Sequence, residues 1–396
     1  MSETMKRTWA QISTDNIEHN YKCIKALIKP NCKIIGIVKA DAYGHGAPFV
    51  ANRLKSCGVN YFGVSNIDEA VQLRINNIKE PIIILGYTPK ENFQVLFNYD
   101  LTQTVFSLQY ATLLSHQAKK LNKKLKIHIK VDTGMSRLGF LCNNEQNIAV
   151  SVNEIENISK LKVFELEGIF THFAVSDDLK SNYTTMQFEL FTKTISALKI
   201  KGISFKYKHC CNSSAIINYP EMHLNMVRPG LILYGLYPCK NIKDIGLKPV
   251  MELKTVISQI KEFDEGVTVS YGRVYKTNKK TKIAIMPIGY ADGFPRILSN
   301  NAEVLVCGKR ANVVGRVCMD MTMIDITNIS NAKEGQCVTI FGKDKEGYIP
   351  IEELADKMET INYEIACLIG KRVPRIYTLN GTEMGNLNYI LNNQDL

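Results

Sequence analysis

Lys33-Ile34-Ile35-Gly36-Ile37-Val38-Lys39-Ala40-Asp41-Ala42-Tyr43-Gly44-His45-Gly46 is the stretch on which the reading of the chain turns. It begins as an apolar, β-branched run, the composition of a strand buried on both faces. Lys39 ends that run where the pattern asks for another aliphatic residue. Gly44 and Gly46 then suit a turn into a helix led by Pro48. A lysine at the end of a buried strand is costly unless it is paired, neutral or covalently used. Two readings follow from the residue type alone. Lys39 snorkels to the rim of the sheet, or its desolvated amine forms a Schiff base with an aldehyde cofactor.

Outward from this stretch the pattern alternates strand, loop and helix. Candidate strands are Lys33–Lys39, Tyr61–Ser65, Pro81–Leu85, Thr102–Ser107, Leu125–Val131, Leu166–His172, Phe205–Cys211 and Asn225–Arg228. Amphipathic segments such as Ile67–Asn76, Leu108–Lys120, Glu145–Ile158 and Thr184–Lys201 separate them. Eight strands alternating with helices over about 230 residues predict an α/β fold, an N-terminal (β/α)8 barrel. An open, doubly wound sheet is the alternative, but no Gly-x-Gly-x-x-Gly follows the first strand to support a dinucleotide site. Beyond Pro238 the rhythm changes to short strands punctuated by glycine, among them Met251–Lys261, Lys282–Ile288, Ala302–Cys307, Lys309–Val317, Met321–Asp325 and Cys337–Phe341. One helix, Ile351–Met358, and a polar tail close the chain. The expected division is a barrel over residues 1–245 and a β-rich C-terminal domain over 246–396, with a linker at Asn241–Gly246.

The totals exclude several classes. With 396 residues, 45% hydrophobic and 22% charged, the composition is that of an ordinary globular protein. No apolar run approaches the roughly 20 residues of a membrane span. Met1–Arg7 has no apolar segment behind it, so no secretory leader is expected. The 11 cysteines are odd in number and scattered, without a Cys-x-x-Cys pair; reduced thiols in a cytoplasmic chain are expected. The net charge of +11 is spread over dispersed lysines, with no zinc-finger spacing and no aromatic-basic motif. An anionic small ligand therefore suits the chain better than nucleic acid. No metal site is expected.

In a barrel the strand ends meet in one mouth, where catalysis sits. The predicted strands end in Lys39, with Tyr43 just beyond; in Leu85-Gly86; in Lys130 running into Asp132–Gly139, which carries Arg137; in Thr171-His172; in His209 leading to Asn212-Ser213; and in Arg228-Pro229-Gly230. Each has a structural reading. Asn212 and Ser213 can simply cap a helix, Arg228 can pair at the surface, and His172 can be a satisfied structural histidine. A chance gathering of so many at one mouth is a poorer explanation. Barrels bind phosphate in the loops after strands seven and eight, where Ser213 and the Gly230-Leu231 backbone fall. A reactive lysine and a phosphate cradle together point to pyridoxal phosphate.

Val38–Gly46 resembles the cofactor-lysine signature of the alanine racemase family. The resemblance covers nearly the whole chain: Lys130–Gly139, Thr171–Ala174, Asn212-Ser213, Val227–Gly230, Tyr234–Leu236, Val269–Arg273, Gly289–Gly293, Gly315–Asp320 and Ile361–Glu364. It implies a barrel with a β-domain, with residues 8–12 pairing in the second domain. It also implies pyridoxal 5'-phosphate as cofactor, alanine as substrate, D-alanine for peptidoglycan as product, and a homodimer with shared active sites. Lys39 would hold the cofactor and act as one base, and Tyr271 would act on the other face of the substrate Cα. A free tyrosine ionises near pH 10, so His172 and neighbouring arginines would assist. Arg228 is matched to the residue facing the pyridine nitrogen, with His209 orienting it. Guanidinium does not give up its proton, so the ring would stay a weak electron sink and transamination would be rare. Tyr43, Ser213, Tyr363, Gly230 and Leu231 would hold the phosphate, with Leu85 and Asn212 also lining the cofactor. Arg137 and the Met319 N–H would meet the substrate carboxylate. Lys130 would support Arg137, carrying a carbamate in some members, and Asp320 and Tyr290 would support the site. Tyr271 and Met319 would serve the partner subunit's cofactor.

Three other activities compete. A single-barrel pyridoxal-phosphate protein without racemase activity would lack the second domain. A barrel-type decarboxylase would not carry Tyr271-Gly272-Arg273 and Cys318-Met319-Asp320. A racemase for serine or another amino acid would carry a smaller residue where Tyr363 stands. Gly370-Lys371 stand where Ser-Tyr is more usual in the family, a departure that touches local packing near the C-terminus.

Overall fold

The computed structural model describes residues 6–391, so most of the N-terminal stretch read above for a leader lies outside the described residues. The chain forms two compact units. The barrel unit comprises Ile17–Ala42 and Ala47–Lys248; the β-rich unit comprises the residues up to Asn16, Tyr43–Gly46, and those from Pro249 on.

In the barrel unit, strands Gly36–Ile37, Phe62–Val64, Ile82–Ile84, Thr102–Val105, Leu125–Asp132, Phe164–Phe170 and Tyr207–His209 run parallel, each beside the next. The first three are buried throughout, Ile82, Ile83 and Ile84 completely, and read as continuous apolar runs, whereas Leu125–Asp132 and Phe164–Phe170 alternate apolar with polar residues. Met226–Val227 supplies the eighth position. It pairs with Lys33–Ile34, and Arg228 N donates to Cys211 O at 3.0 Å, which closes the ring. The first strand is therefore shared: Lys33–Ile34 pairs on one side and Gly36–Ile37 on the other. Helix starts follow the sequence signals. Asn66, Ser107, Asn144 and Asn212 each accept a backbone N–H three residues on.

In the β-rich unit, Thr8–Ser13 lies between Met251–Val256, antiparallel, and Arg375–Leu379, parallel, with Ala10 opposite Leu253 and Arg375. The segment read as one strand over Met251–Lys261 is two, Met251–Val256 and Gln259–Phe263. The first pairs with Cys337–Asp344 and the second with Thr281–Met286. A change of neighbour leaves no mark on apolar alternation, so the break was not visible. A second helix, Asn362–Leu368, and a hairpin, Arg375–Leu379 with Thr382–Leu387, occupy what reads as a polar tail. The outer strand of that hairpin is polar and largely exposed, as an edge strand is.

Candidate active site

Lys39 lies two residues beyond the first barrel strand, and the chain after it takes an unexpected course. Ala40, Asp41, Ala42 and Tyr43 all have φ between 51° and 55°, one turn of left-handed helix instead of the simple turn the glycines suggest. Such residues cost about 1–2 kcal/mol each and persist where their surroundings over-determine them. Here Glu69 is one such constraint: its carboxylate accepts from Ala40 N at 2.8 Å and from Ser65 N at 2.7 Å. Asp41 accepts from Ala47 N at 2.8 Å, fastening the turn to the following helix. Lys39 is thus presented from a strained, anchored backbone.

Arg228 is 4% exposed, not a surface residue. Its Nη1 donates to His209 Nδ1 at 2.8 Å. Its Nη2 faces the carbonyls of Thr171 and Cys210, both at 2.9 Å, and His172 Nδ1 at 3.2 Å. Because guanidinium can only donate, both histidines accept through Nδ1 and carry their proton on Nε2. Burial, then the Arg228 charge, hold His172 and His209 well below the usual imidazole range, so both are neutral. Arg228 itself is lowered to about 10, chiefly by burial. Its Nε–H and second Nη1 hydrogen donate to no acceptor among the described residues.

Lys130, buried beside the Phe170 ring at 5.7 Å, is lowered to about 8 by burial and by the charges of Arg137 and Arg228, with Asp132 opposing and Lys39 adding to the effect. Lys39, Lys130, Arg137 and Arg228 thus form one positive cluster. Asp132 shapes the loop that carries Arg137: its carboxylate accepts from Gly134 N (2.9 Å), Ser136 N (3.0 Å) and Arg137 N (2.8 Å). Arg137 is exposed at the end of that loop.

At the strand seven and eight ends, Asn212 does cap its helix, accepting from Ala215 N at 3.0 Å, and also accepts from Ser176 Oγ at 2.8 Å. Ser213 Oγ accepts from Gly230 N at 3.1 Å. Leu231 then opens a helical turn to Tyr234. The first N–H groups of such turns lack intrahelical acceptors. Leu85, half-buried, follows the strand Ile82–Ile84 and donates its N–H to Val64 O.

The other named residues lie in the β-rich unit. Tyr43 and Tyr363 face each other with ring centroids 6.1 Å apart. Burial, then the neighbouring Tyr363, raise Tyr43, so its phenol is a hydrogen-bond donor. Gly44 follows at φ 78°, where a Cβ would lie 2.2 Å from Ala366 O, so only glycine fits; its carbonyl accepts from Arg375 Nε at 2.9 Å. Tyr271 is 71% exposed on a short turn between Ser270 (φ 66°, ψ −177°) and Gly272 (φ 71°). Ser270 is held there by its hydroxyl, which donates to Arg316 O at 2.7 Å. Met319 and Tyr290 are exposed, and Met319 O accepts from Ala291 N at 3.1 Å. Asp320 pairs with Arg372 at 2.8 Å, and Arg372 also reaches the buried Asp292 at 3.1 Å. Gly370 donates its N–H to Asp292 O at 3.0 Å, and a Cβ there would sit 3.0 Å from Ala291 O, so the departure from Ser closes a tight contact.

Two family models match the chain: the alanine racemase N-terminal domain over residues 12–238, and the alanine racemase C-terminal domain over 250–377. The chain belongs to the alanine racemase family. A relative from Methanococcus maripaludis named alanine racemase is 47% identical over 371 residues, 93% of this chain and 98% of that one. The solved alanine racemase of Clostridium difficile 630 is 42% identical with a TM-score of 0.94, covering 98% of this chain and all of that one. The Bartonella henselae alanine racemase, described with covalently bound pyridoxal phosphate, has a TM-score of 0.84 at 29% identity, covering 94% of this chain and all of that one.

Within this alanine racemase framework, sequence reading passed over Glu69, Gln187 and Arg375, and gave no role to Asp132. Gln187 accepts from Ala174 N at 2.9 Å and donates to His172 O at 3.1 Å, fixing both sides of the His172 segment. Arg375, fully buried, donates to four carbonyls: Gly44, Gly370, Val373 and Ile369. Only Asp132 had a usable signal, an acid followed by a glycine-rich loop. Glu69 reaches Ala40 and Arg375 reaches Gly44 across long stretches of sequence, and their nearer backbone partners leave no trace in residue pattern.

Proposed function

We propose that the chain interconverts L-alanine and D-alanine with pyridoxal 5'-phosphate as cofactor, using Lys39 and Tyr271 as its two proton-transferring groups. The observation that carries this reading is Arg228: a buried guanidinium held by neutral imidazoles and carbonyls, with two N–H donors left over. A ring nitrogen facing it would gain a hydrogen bond but no proton. The positive cluster of Lys39, Lys130, Arg137 and Arg228 suits a phosphate and a carboxylate; the Ser213 hydroxyl, steadied by the Gly230 N–H, and the Leu231 N–H supply short-range donors.

Bound pyridoxal phosphate supplies the electron sink that makes the substrate Cα–H acidic. Lys39 Nζ moves the proton on one face of Cα and Tyr271 Oη on the other. Neutral His172 offers its Nε2–H as a donor. Arg137 and the Met319 N–H orient the substrate carboxylate. Asp320, through Arg372, and Tyr290 support that edge. Tyr43 and Tyr363 are assigned to the phosphate on resemblance alone, as are Leu85 and Asn212 to the cofactor's surroundings. Lys130, with a neutral amine in reach near pH 8, can add carbon dioxide to form a carbamate with loss of a proton. Carbon-13 carbonate labelling followed by NMR checks this, and the absence of a carbamate resonance excludes it.

The chain is expected to act in the cytoplasm, supplying D-alanine to peptidoglycan, as a homodimer in which Tyr271 and Met319 serve a second copy. Mixing Lys39→Ala with Tyr271→Phe chains should then restore about a quarter of the sites if subunits exchange statistically. No recovery with proven exchange overturns the shared site. For the reaction itself, optical rotation of L-alanine should fall to zero in the presence of protein and cofactor, faster than that of L-serine. Tyr363 favours alanine, but a pocket excludes one hydroxyl only weakly, so slow turnover of serine is expected. An unchanged rotation overturns the reading.

A further inference from the structure

The hydrogen bonding of Arg228 does not stop at His209. His209 Nε2 lies 2.9 Å from His128 Nδ1, and His128 Nε2 lies 3.3 Å from Glu167 Oε2. Tyr61 Oη donates to the same carboxylate oxygen at 2.8 Å, with Thr102 Oγ1 3.2 Å from the phenol. His128 and His209 are completely buried. Direction along this chain is forced. Arg228 can only donate, so His209 accepts on Nδ1 and carries its proton on Nε2. That proton needs an acceptor, so His128 presents a bare Nδ1 and carries its own proton on Nε2. Only an acceptor can meet it, and the ionised Glu167 is one. Burial opposes ionisation of Glu167, but hydrogen bonds from His128 and Tyr61 outweigh it and lower the carboxyl.

Two features of the backbone accommodate this arrangement. Strands Leu125–Asp132 and Phe164–Phe170 pair in simple register up to Ile127 opposite Leu166, but His128 is opposite Gly168. Glu167 is the extra residue of a bulge, a device that re-aims a side chain. At Gly168 a Cβ would lie 2.5 Å from the His128 ring, so the absent side chain is the space the imidazole fills. Phe170 then stacks on His209, 4.8 Å between centroids and 6° from parallel.

We propose that Glu167, acting through His128 and His209, is a positioning residue for Arg228: it fixes the tautomers that keep the guanidinium aimed and its remaining N–H groups free. The proposal deepens the functional reading above and rests on it for its kinetic part. Without Glu167, the Tyr61 hydroxyl, 3.5 Å from His128 Nε2, is free to donate there. His128 would then be protonated on Nδ1, head-on against His209 Nε2–H, and the chain would break at its centre.

The test uses the full-length, cofactor-loaded protein labelled with nitrogen-15 at histidine, whose imidazole resonances report which nitrogen holds the proton. In the wild type, both His128 and His209 should be neutral Nε2–H tautomers. A proton on Nδ1 of either overturns the proposal without any variant. In Glu167→Leu, His128 should shift to Nδ1–H and kcat for alanine racemisation should fall roughly tenfold, the rate equivalent of one lost buried hydrogen bond, with KM little changed. Glu167→Gln, which keeps a carbonyl acceptor, should retain the wild-type tautomers and lose only about threefold. Unchanged tautomers in Glu167→Leu, or shifted tautomers with unchanged kcat, overturn the proposal. Should Glu167→Leu fail to fold, His128→Phe serves for the kinetics, where an unchanged kcat has the same meaning. If the wild type does not racemise alanine, the functional reading fails, while the wild-type tautomers still decide whether the relay exists.

Discussion

The barrel mouth and the Tyr271–Met319 edge of the β-rich unit solve opposite problems. At the mouth, buried polar groups are held by directional bonds: Arg228 by His209 and two carbonyls, His209 by His128, and Asp132 by the loop that carries Arg137. At the edge, Tyr271, Tyr290 and Met319 are exposed on short turns, and Ser270 and Arg273 sit at positive φ. The mouth is organised before any ligand arrives, which is what electrostatic stabilisation requires. The edge spends backbone strain to display side chains that its own unit does not cover. Backbone strain beside an exposed side chain is in keeping with the role proposed for Tyr271.

The contrast can be broken by substitution. Tyr271→Phe should leave thermal stability unchanged, because the side chain is exposed. It should lower racemisation by about 10²–10⁴-fold, the span of a lost general acid–base group. A drop in melting temperature with activity intact would make Tyr271 a packing residue and remove the contrast. Asp132→Ala should do the reverse. With three backbone N–H groups deprived of a buried acceptor, the barrel should lose on the order of 3 kcal/mol in denaturant unfolding. KM for alanine should rise as the Arg137 loop loosens. An unchanged unfolding midpoint would show that the loop does not need its carboxylate.

Acidification sharpens the difference further. His128, His172 and His209 are lowered by burial, most strongly at His172 and His209. The unfolded chain therefore takes up protons below about pH 6.5 that the folded barrel refuses. Stability should be level above that pH and fall as pH drops through it. Hydrogen exchange across pH 5–7 should show barrel amides losing protection while those of the β-rich sheet keep theirs. The smallest effect is expected at Lys130. Its amine is lowered to about 8, so a protonated Lys130 costs stability below that pH, and the cost is relieved as pH rises toward the unfolded value near 10.4. If Lys130 carries a free amine, Lys130→Met should raise the melting temperature at pH 7 and do so less at pH 10. The opposite sign at pH 7 would mean that the residue carries a negative charge, as a carbamate does.

Much of this was legible in the chain. The barrel strands were legible as short apolar or alternating runs, unbroken where both faces are buried as at Ile82–Ile84, and the helices as amphipathic segments between them. The split of Met251–Lys261 and the hairpin after Arg375 were not legible, since a change of strand partner and a polar edge leave no periodic trace. Lys39, Arg228 and Ser213 could be singled out because each is polar where its strand ends.

Local chemistry and motif order thus determined the fold and the family and singled out the candidate site residues. The tertiary structure decided the left-handed turn that presents Lys39, the burial and neutrality of the histidines, and the bonded path from Arg228 to Glu167. The physical reason is range. Propensity, capping and apolar period act over a few residues, whereas a proton's position on His209 depends on a bulge and a missing side chain that only strand register brings beside it.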